Sequence, residues 1–242
     1  MRKIFAAVSA AAAVLTLGSA AVAQAAVAQT AAQTVAHPNH PHATPACGAN
    51  CFDLSSLELG RHMIQNAFIY HDTGVGGKVG QDVNLKTASN SHPNEDFTGA
   101  GAGTLADFCG SLISTTSYVC INFPSTFPVF ESNWSPFGNQ SGLCAGVAKA
   151  NVNNEAVTLQ NCGVDARTLW VGDLSHSTTV HGHAYTLWVN AADPNVTHPL
   201  VLTAGGPTGR PTHQLTVSRL NLLTGNTVPD WQDFTLEPGP TP

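Results

Sequence analysis

His181 and His183 stand one residue apart, so an extended backbone would carry both imidazoles on the same side, which is how a metal site begins. No third ligand stands near them. His37, His40 and His42 are interleaved with Pro38 and Pro41, the pattern of a solvated tail. Two acidic pairs, Glu95/Asp96 and Asp230/Asp233, are the residue types that glycoside hydrolysis uses in facing positions, but neighbours in sequence need not face each other. Gly138-Asn139-Gln140-Ser141-Gly142 has the composition of a nucleophile elbow without its Gly-x-Ser-x-Gly spacing. A His-Glu-x-x-His zinc motif is absent. These residues predict a protein that is not an enzyme, with no catalytic residue, no metal and no cofactor; a glycoside hydrolase is the enzymatic alternative.

Six cysteines, Cys47, Cys51, Cys109, Cys120, Cys144 and Cys162, include no Cys-x2-Cys pair, which turns the reading from zinc to disulfides. Sequence neighbourhood favours Cys47–Cys51, Cys109–Cys120 and Cys144–Cys162, each closing a local loop. Disulfides persist in an oxidising compartment, and the first residues predict one. Arg2 and Lys3 are a short positive segment, Ile4 to Leu17 is apolar, and Ala23-Gln24-Ala25 or Ala21-Val22-Ala23 offers small residues for cleavage. The apolar run is shorter than the about 20 residues that span a bilayer. Residues 1–25 are therefore expected to be a bacterial-type signal peptide, and the chain to be secreted and extracellular.

Arg2 and Lys3 are two of the nine Lys and Arg, so the rest of the chain carries seven against fifteen Asp and Glu. A chain this acidic has no basic stripe to neutralise phosphates, which argues against nucleic acid and against anionic membrane surfaces. Charged residues make up only 10% of the sequence, whereas exposed helix faces need Glu and Lys. The balance points to all-β structure with many turns.

Residues 26–46, rich in Ala, Gln, Thr and Pro, read as a disordered linker, and 47–242 as one disulfide-stabilised domain. Helical pattern is confined to Ser55–Phe68, broken by Gly60, and to Leu105–Ile113. Short strand-like runs are commoner: 83–85, 157–159, 187–189, 201–202 and 234–236, separated by Gly, Pro, Asn and Asp. Three of them begin similar units. Val83-Asn84-Leu85 precedes Phe97-Thr98; Val157-Thr158-Leu159 precedes Leu169-Trp170; Leu200-Val201-Leu202 precedes Leu215-Thr216. Three diverged copies of one hairpin unit predict a pseudo-three-fold fold, with Leu85, Leu159 and Leu202 together in its core. A β-sandwich, with the leucines in two stacked sheets, is the alternative.

The middle copy resembles one repeat of the ricin B-type β-trefoil lectins. Leu143-Cys144-Ala145-Gly146-Val147 is similar to that family's Cys-Leu-Asp-Val segment, Val157-Thr158-Leu159-Gln160-Asn161-Cys162 to its Val-x-Leu-Trp-x-Cys strand, and Trp170 to the Trp of its closing Gln-x-Trp. The resemblance covers 134–172 well, 62–98 and 185–218 weakly, and an insertion at 99–130 not at all. It implies a β-trefoil in which Cys144–Cys162 staples adjacent strands and Trp170 fills the interior. A closing strand for the third copy is expected around Asp230-Trp231-Gln232-Asp233-Phe234. The family's sugar-binding Asp falls on Gly146, its stacking Trp on Gln160, and its polar closing pair on Arg167 and Thr168. The middle copy thus keeps the structural residues and loses the binding ones. In the third copy Gln214 matches the family's Gln, His213 its Asn, and Trp188 lies on a flanking strand, which makes these three the candidate ligand residues. The resemblance implies a secreted, non-catalytic carbohydrate-binding module with degenerate sugar sites, its partner a glycan or carbohydrate polymer. A protease inhibitor presenting the Cys109–Cys120 loop, or a structural envelope protein, would use the same scaffold.

Overall fold

Apolar residues alternating with polar ones, bounded by Gly, Pro and Asn, fold here into short strands. The computed structural model describes residues 51–57, 67–71, 77–87, 97–135, 140–180, 183–204, 215–223 and 227–238. The chain divides at His40, and every described residue belongs to the second unit, Pro41–Pro242. The expected signal peptide and linker lie outside the described residues, as do Cys47 and the Cys51 side chain of the expected Cys47–Cys51 pair. The strands are β1 (Cys51–Ser56), β2 (Ala67–His71), β3 (Val83–Thr87), β4 (Phe97–Thr104), β5 (Pro128–Trp134), β6 (Leu143–Val147), β7 (Glu155–Asn161), β8 (Leu169–Val180), β9 (His183–Asn190), β10 (Leu200–Ala204), β11 (Leu215–Arg219) and β12 (Phe234–Pro238). Of the helical turn expected over Ser55–Phe68, Leu57 is helical, while Ser55 and Ser56 extend β1 and Ala67 and Phe68 open β2; residues 58–66 lie outside the described ones.

Six strands close a ring. β1 pairs with β4, β4 with β5, β5 with β8, β8 with β9, β9 with β12 and β12 with β1, all antiparallel. The other six form the hairpins β2–β3, β6–β7 and β10–β11. Each ring strand has a partner on both sides, so the ring has no exposed edge. Two stacked sheets would leave edges, and the sandwich alternative gives way to this closed arrangement.

The registers repeat three times. Ile69 faces Leu85, Ala145 faces Leu159, and Leu202 faces Val217, at the same step of the three hairpins. Pairing between hairpins agrees: Thr216 faces Ala156 just as Thr158 faces Asp82. Leu85, Leu159 and Leu202 do share one core cluster, together with Val83, Val157, Leu200, Leu215 and Val217. The third copy is nevertheless displaced by one strand from its sequence-based alignment. Leu202 is the counterpart of Ala145, and Val217 is the equivalent of Leu85 and Leu159. Between β6 and β7, Asn151 and Asn154 hold φ of 65° and 63°. Asn tolerates this left-handed conformation better than most side chains, because its short amide can hydrogen-bond locally.

Both disulfides that fall among the described residues form as expected. Cys144–Cys162 joins β6 to the end of β7 with Cα atoms 5.1 Å apart, and Cys109–Cys120 pins an excursion at 6.0 Å. That excursion is narrower than 99–130: residues 99–104 belong to β4 and 128–130 to β5. It carries two short helices, α1 (Leu105–Phe108) and α2 (Tyr118–Asn122). Leu105, Ile113 and Val119 pack with Leu169, Val171, Leu187 and Val189 in a second core cluster. Since Trp170 and Trp188 belong to the first cluster, β8 and β9 are covered on both faces. That explains why Leu187-Trp188-Val189 is apolar without alternation.

Candidate functional site

The middle copy shows why its sugar-binding pattern is missing. A Cβ on Gly146 would lie 2.7 Å from the Arg167 carbonyl oxygen and 3.1 Å from Thr168 Cα, so β6 presses directly on the turn before β8. An Asp has no room at this position. Replacing Gly146 by Asp should therefore cost about 1–3 kcal/mol through overpacking and add no affinity for sugars. Thermal denaturation of the variant checks the first part, and a melting temperature equal to wild type would contradict the contact.

Around that turn the polar groups are spent on one another. Asp165 accepts from Arg167 N at 2.8 Å and from Arg167 Nη2 at 2.6 Å, and the hydrogen bonds from this guanidinium hold the Asp165 carboxyl below the usual carboxylate range. Arg167 Nη1 donates to the Ala148 carbonyl, and Gln160 Nε2 to Thr158 Oγ1. Thr168 Oγ1 donates to Glu131 at 2.6 Å, and the same carboxylate oxygen accepts from Gly163 N at 2.8 Å. Glu131 is the acid this copy places at the closing motif. Sequence reading missed it, because it comes from β5, outside the matched residues.

In the third copy the register moves the matching positions. Thr203 follows Leu202 as Gly146 follows Ala145, and Gln232 precedes Phe234 as Thr168 precedes Trp170. Gln232 Nε2 donates to Thr203 Oγ1 at 3.4 Å and to the Arg219 carbonyl at 3.1 Å, while its Oε1 accepts from Asn221 N. Both side chains are buried. His213 and Gln214 lie outside the described residues. They precede β11, which corresponds by register to β7, and the residue that corresponds by register to Thr168 is Gln232.

Trp188 is the candidate residue whose surroundings are described. It faces Gly172 across the β8–β9 pair, and because Gly172 has no side chain the indole passes over it to meet Phe130 edge-on at 5.5 Å between ring centroids. Trp188 is 8% exposed, and its Nε1 has no hydrogen-bond partner among the described residues. Beside it lies an open recess of about 300 Å³ lined by Ala184, Thr186, Trp188, Phe234 and Thr235. Ala184, Thr186 and Trp188 are alternate residues of β9, and Thr186 faces Phe234 on β12. The lining includes the edge of Trp188, two Thr side chains and no ionisable group, with the fully buried Phe234 beneath it.

A second cluster went unnoticed in the sequence. Asp173, fully buried, accepts from Ser175 N at 3.0 Å, Ser175 Oγ at 2.5 Å and His176 Nδ1 at 2.7 Å. Burial, and then the charge of Asp173, push the Tyr118 phenol above its ordinary value. Ser175 Oγ reaches the same ring nitrogen that holds the acid. In a Ser-His-Asp relay the nucleophile and the acid bond opposite nitrogens, so this Asp173-Ser175-His176 group braces the irregular stretch of β8 and does not activate a nucleophile. No group of three or more His, Cys, Asp or Glu side chains among the described residues is placed to hold a metal. His181, the His183 side chain, Glu95 and Asp96 lie outside them. No helix among the described residues is long and apolar enough to cross a membrane.

No protein-family model and no curated protein sequence matches this chain. Its fold is similar to several solved structures. One is the designed three-fold symmetric protein ThreeFoil (TM-score 0.48, 10% identity, 77% of this chain and 97% of that one). Another is the hemolytic lectin CEL-III (0.43, 12%, 79% and 33%). A third is the binding domain of botulinum neurotoxin DC, solved with rat synaptotagmin II (0.43, 11%, 80% and 44%). The chain spans 33% of the lectin's length and 44% of the toxin domain's. At these scores the likenesses carry no argument, and the topology rests on the strand pairing.

Proposed function

We propose that this chain is a secreted, non-catalytic β-trefoil module that binds carbohydrate. A ring of six strands with three hairpins in matching register is the pairing a trefoil requires. In the middle copy Cys144–Cys162 and Trp170 sit where the lectin resemblance needs them. Fold alone does not assign function; the observation that carries the reading is the recess beside Trp188. A sugar ring presents one apolar face and a rim of hydroxyls, and an aromatic wall beside Thr hydroxyls complements both.

Open, shallow sites bind weakly, so affinity for a single sugar is expected near the millimolar range, about −4 kcal/mol. Polymers gain through multivalency. The test is calorimetric titration with galactose-, xylose- and arabinose-containing polymers, repeated with Trp188→Phe, His213→Ala and Gln214→Ala. Weakened binding in Trp188→Phe supports the reading. Weakening confined to His213→Ala or Gln214→Ala moves the site to the hairpin. Failure of all the polymers overturns it in favour of an inhibitor presenting the Cys109–Cys120 loop.

A further inference from the structure

We infer that the end of the ring opposite the hairpins is a single binding site for an uncharged sugar ring, an inference that rests on the carbohydrate reading above. The hairpins close one end: a Cβ on Gly77 would meet both Trp134 and Leu159. Towards the other end the inner face carries glycines on two strands, Gly99 and Gly101 on β4 and Gly172 on β8. In β4, whose sequence is Phe-Thr-Gly-Ala-Gly-Ala-Gly-Thr, Gly99 and Gly101 face Ser132 and Phe130 on the same side as the buried pair Phe97 and Trp134. Yet both glycines are exposed, and a Cβ on Gly101 would meet nothing within 4 Å. Alternating glycines weaken a strand, since they lose the most entropy on ordering and leave nothing to pack. A run of them along the inner face calls for a reason, and an opening kept clear for a ligand supplies one. On the far side of the ring the wall is built by Thr186 and Trp188.

The described side chains facing inward carry no ionisable group. Glu131 alternates with Phe130 and Ser132, and Asp173 with Gly172, so both turn outward. An acidic sugar would therefore lose its hydration without gaining a cation, which selects neutral rings over uronic acids. Two buried polar atoms, Trp188 Nε1 and Ser132 Oγ, have no partner among the described residues, and both side chains belong to this inner face. Gly172 on β8 matches Gly99 by register, but Gly101 has no glycine counterpart on β8 or β12, and the ring has one such end, so the site occurs once and not three times.

The experiment titrates the full chain with the methyl glycosides of galactose, glucose and xylose, and with xylan, arabinogalactan and polygalacturonate. Gly101→Val and Ala184→Trp are measured in parallel, with melting curves for each. Valine at 101 meets no steric conflict and favours a strand, so the variant keeps its fold while filling the opening; Ala184→Trp blocks the opposite wall. The expected result is one neutral ligand per chain, with each variant weakened by about tenfold or more at an unchanged or higher melting temperature. Neutral binding that both variants retain, or two or three ligands per chain, overturns this site and leaves the carbohydrate reading standing. A preference for polygalacturonate overturns the neutral selection. If nothing binds, the carbohydrate reading falls and takes this site with it.

Discussion

Trp170→Ala should destabilise the chain by about 3–5 kcal/mol, the usual cost of emptying a buried aromatic position. The indole is buried in the main core cluster, and its Nε1 donates to the Ala145 carbonyl at 2.9 Å, tying ring strand β8 to hairpin strand β6. Removal leaves both a cavity and an orphaned carbonyl. By register, Trp170 is the counterpart of Phe97 and Phe234, which face Trp134 and Thr186 on their own ring neighbours. Trp170→Phe copies those two positions and should cost much less, about 1–2 kcal/mol for the lost hydrogen bond and some volume. Urea denaturation measures both. An alanine variant within 1 kcal/mol of wild type, on the scale of roughly 1 ± 0.5 kcal/mol for a single hydrogen bond, would show that Trp170 does not fill the core.

Asp193→Ala is the second large effect, expected at about 3 kcal/mol. The carboxylate is fully buried and accepts from Leu200 N at 2.7 Å, Asn195 N at 3.2 Å and Arg219 Nη1. Arg219 also donates to Asn151 and to the His198 carbonyl, so one guanidinium gathers the entry to β10 and the turn between β6 and β7. Alanine at 193 strands the Leu200 amide and leaves a guanidinium only 27% exposed without its counterion. For a domain of this size each kcal/mol shifts the melting temperature by about 2–4 °C. The double variant Asp193→Ala/Arg219→Ala should cost clearly less than the sum of the single ones, because removing both partners leaves no uncompensated charge. Strict additivity would mean that the pair is not coupled.

The parts legible in the sequence were those with a local chemical signature. Cys144 and Cys162 bracket a Val-x-Leu strand, and that stretch alone located β6, β7 and the staple between them. The third copy misled because its two hairpin strands look alike. Leu200-Val201-Leu202 is buried on both faces, so it lacks alternation, and it passes for the partner it pairs with, Leu215-Thr216-Val217. One strand of displacement put Gln214 at a position that belongs to Gln232. Of β4 only the opening Phe97-Thr98 was readable: three glycines in the eight residues contradict strand propensity, and the pairing with β5 holds the rest extended. Glu131 and the Asp173–His176 contact had no signature, since the partners of Glu131 come from a distant loop and those of Asp173 depend on an irregular β8.

β1 pairs with β12 over five residues, from Phe52 opposite Pro238 to Ser56 opposite Phe234. The last described strand in chain order is therefore a wall of the same ring as the first. Closing the ring requires the chain to fold back across nearly the whole domain, a loop whose entropy must be met before its contacts form, and topologies of this kind fold slowly. Until residue 238 emerges, β1 has only β4 beside it and the ring stays open between β1 and β9. A nascent chain in this condition cannot complete its fold prematurely.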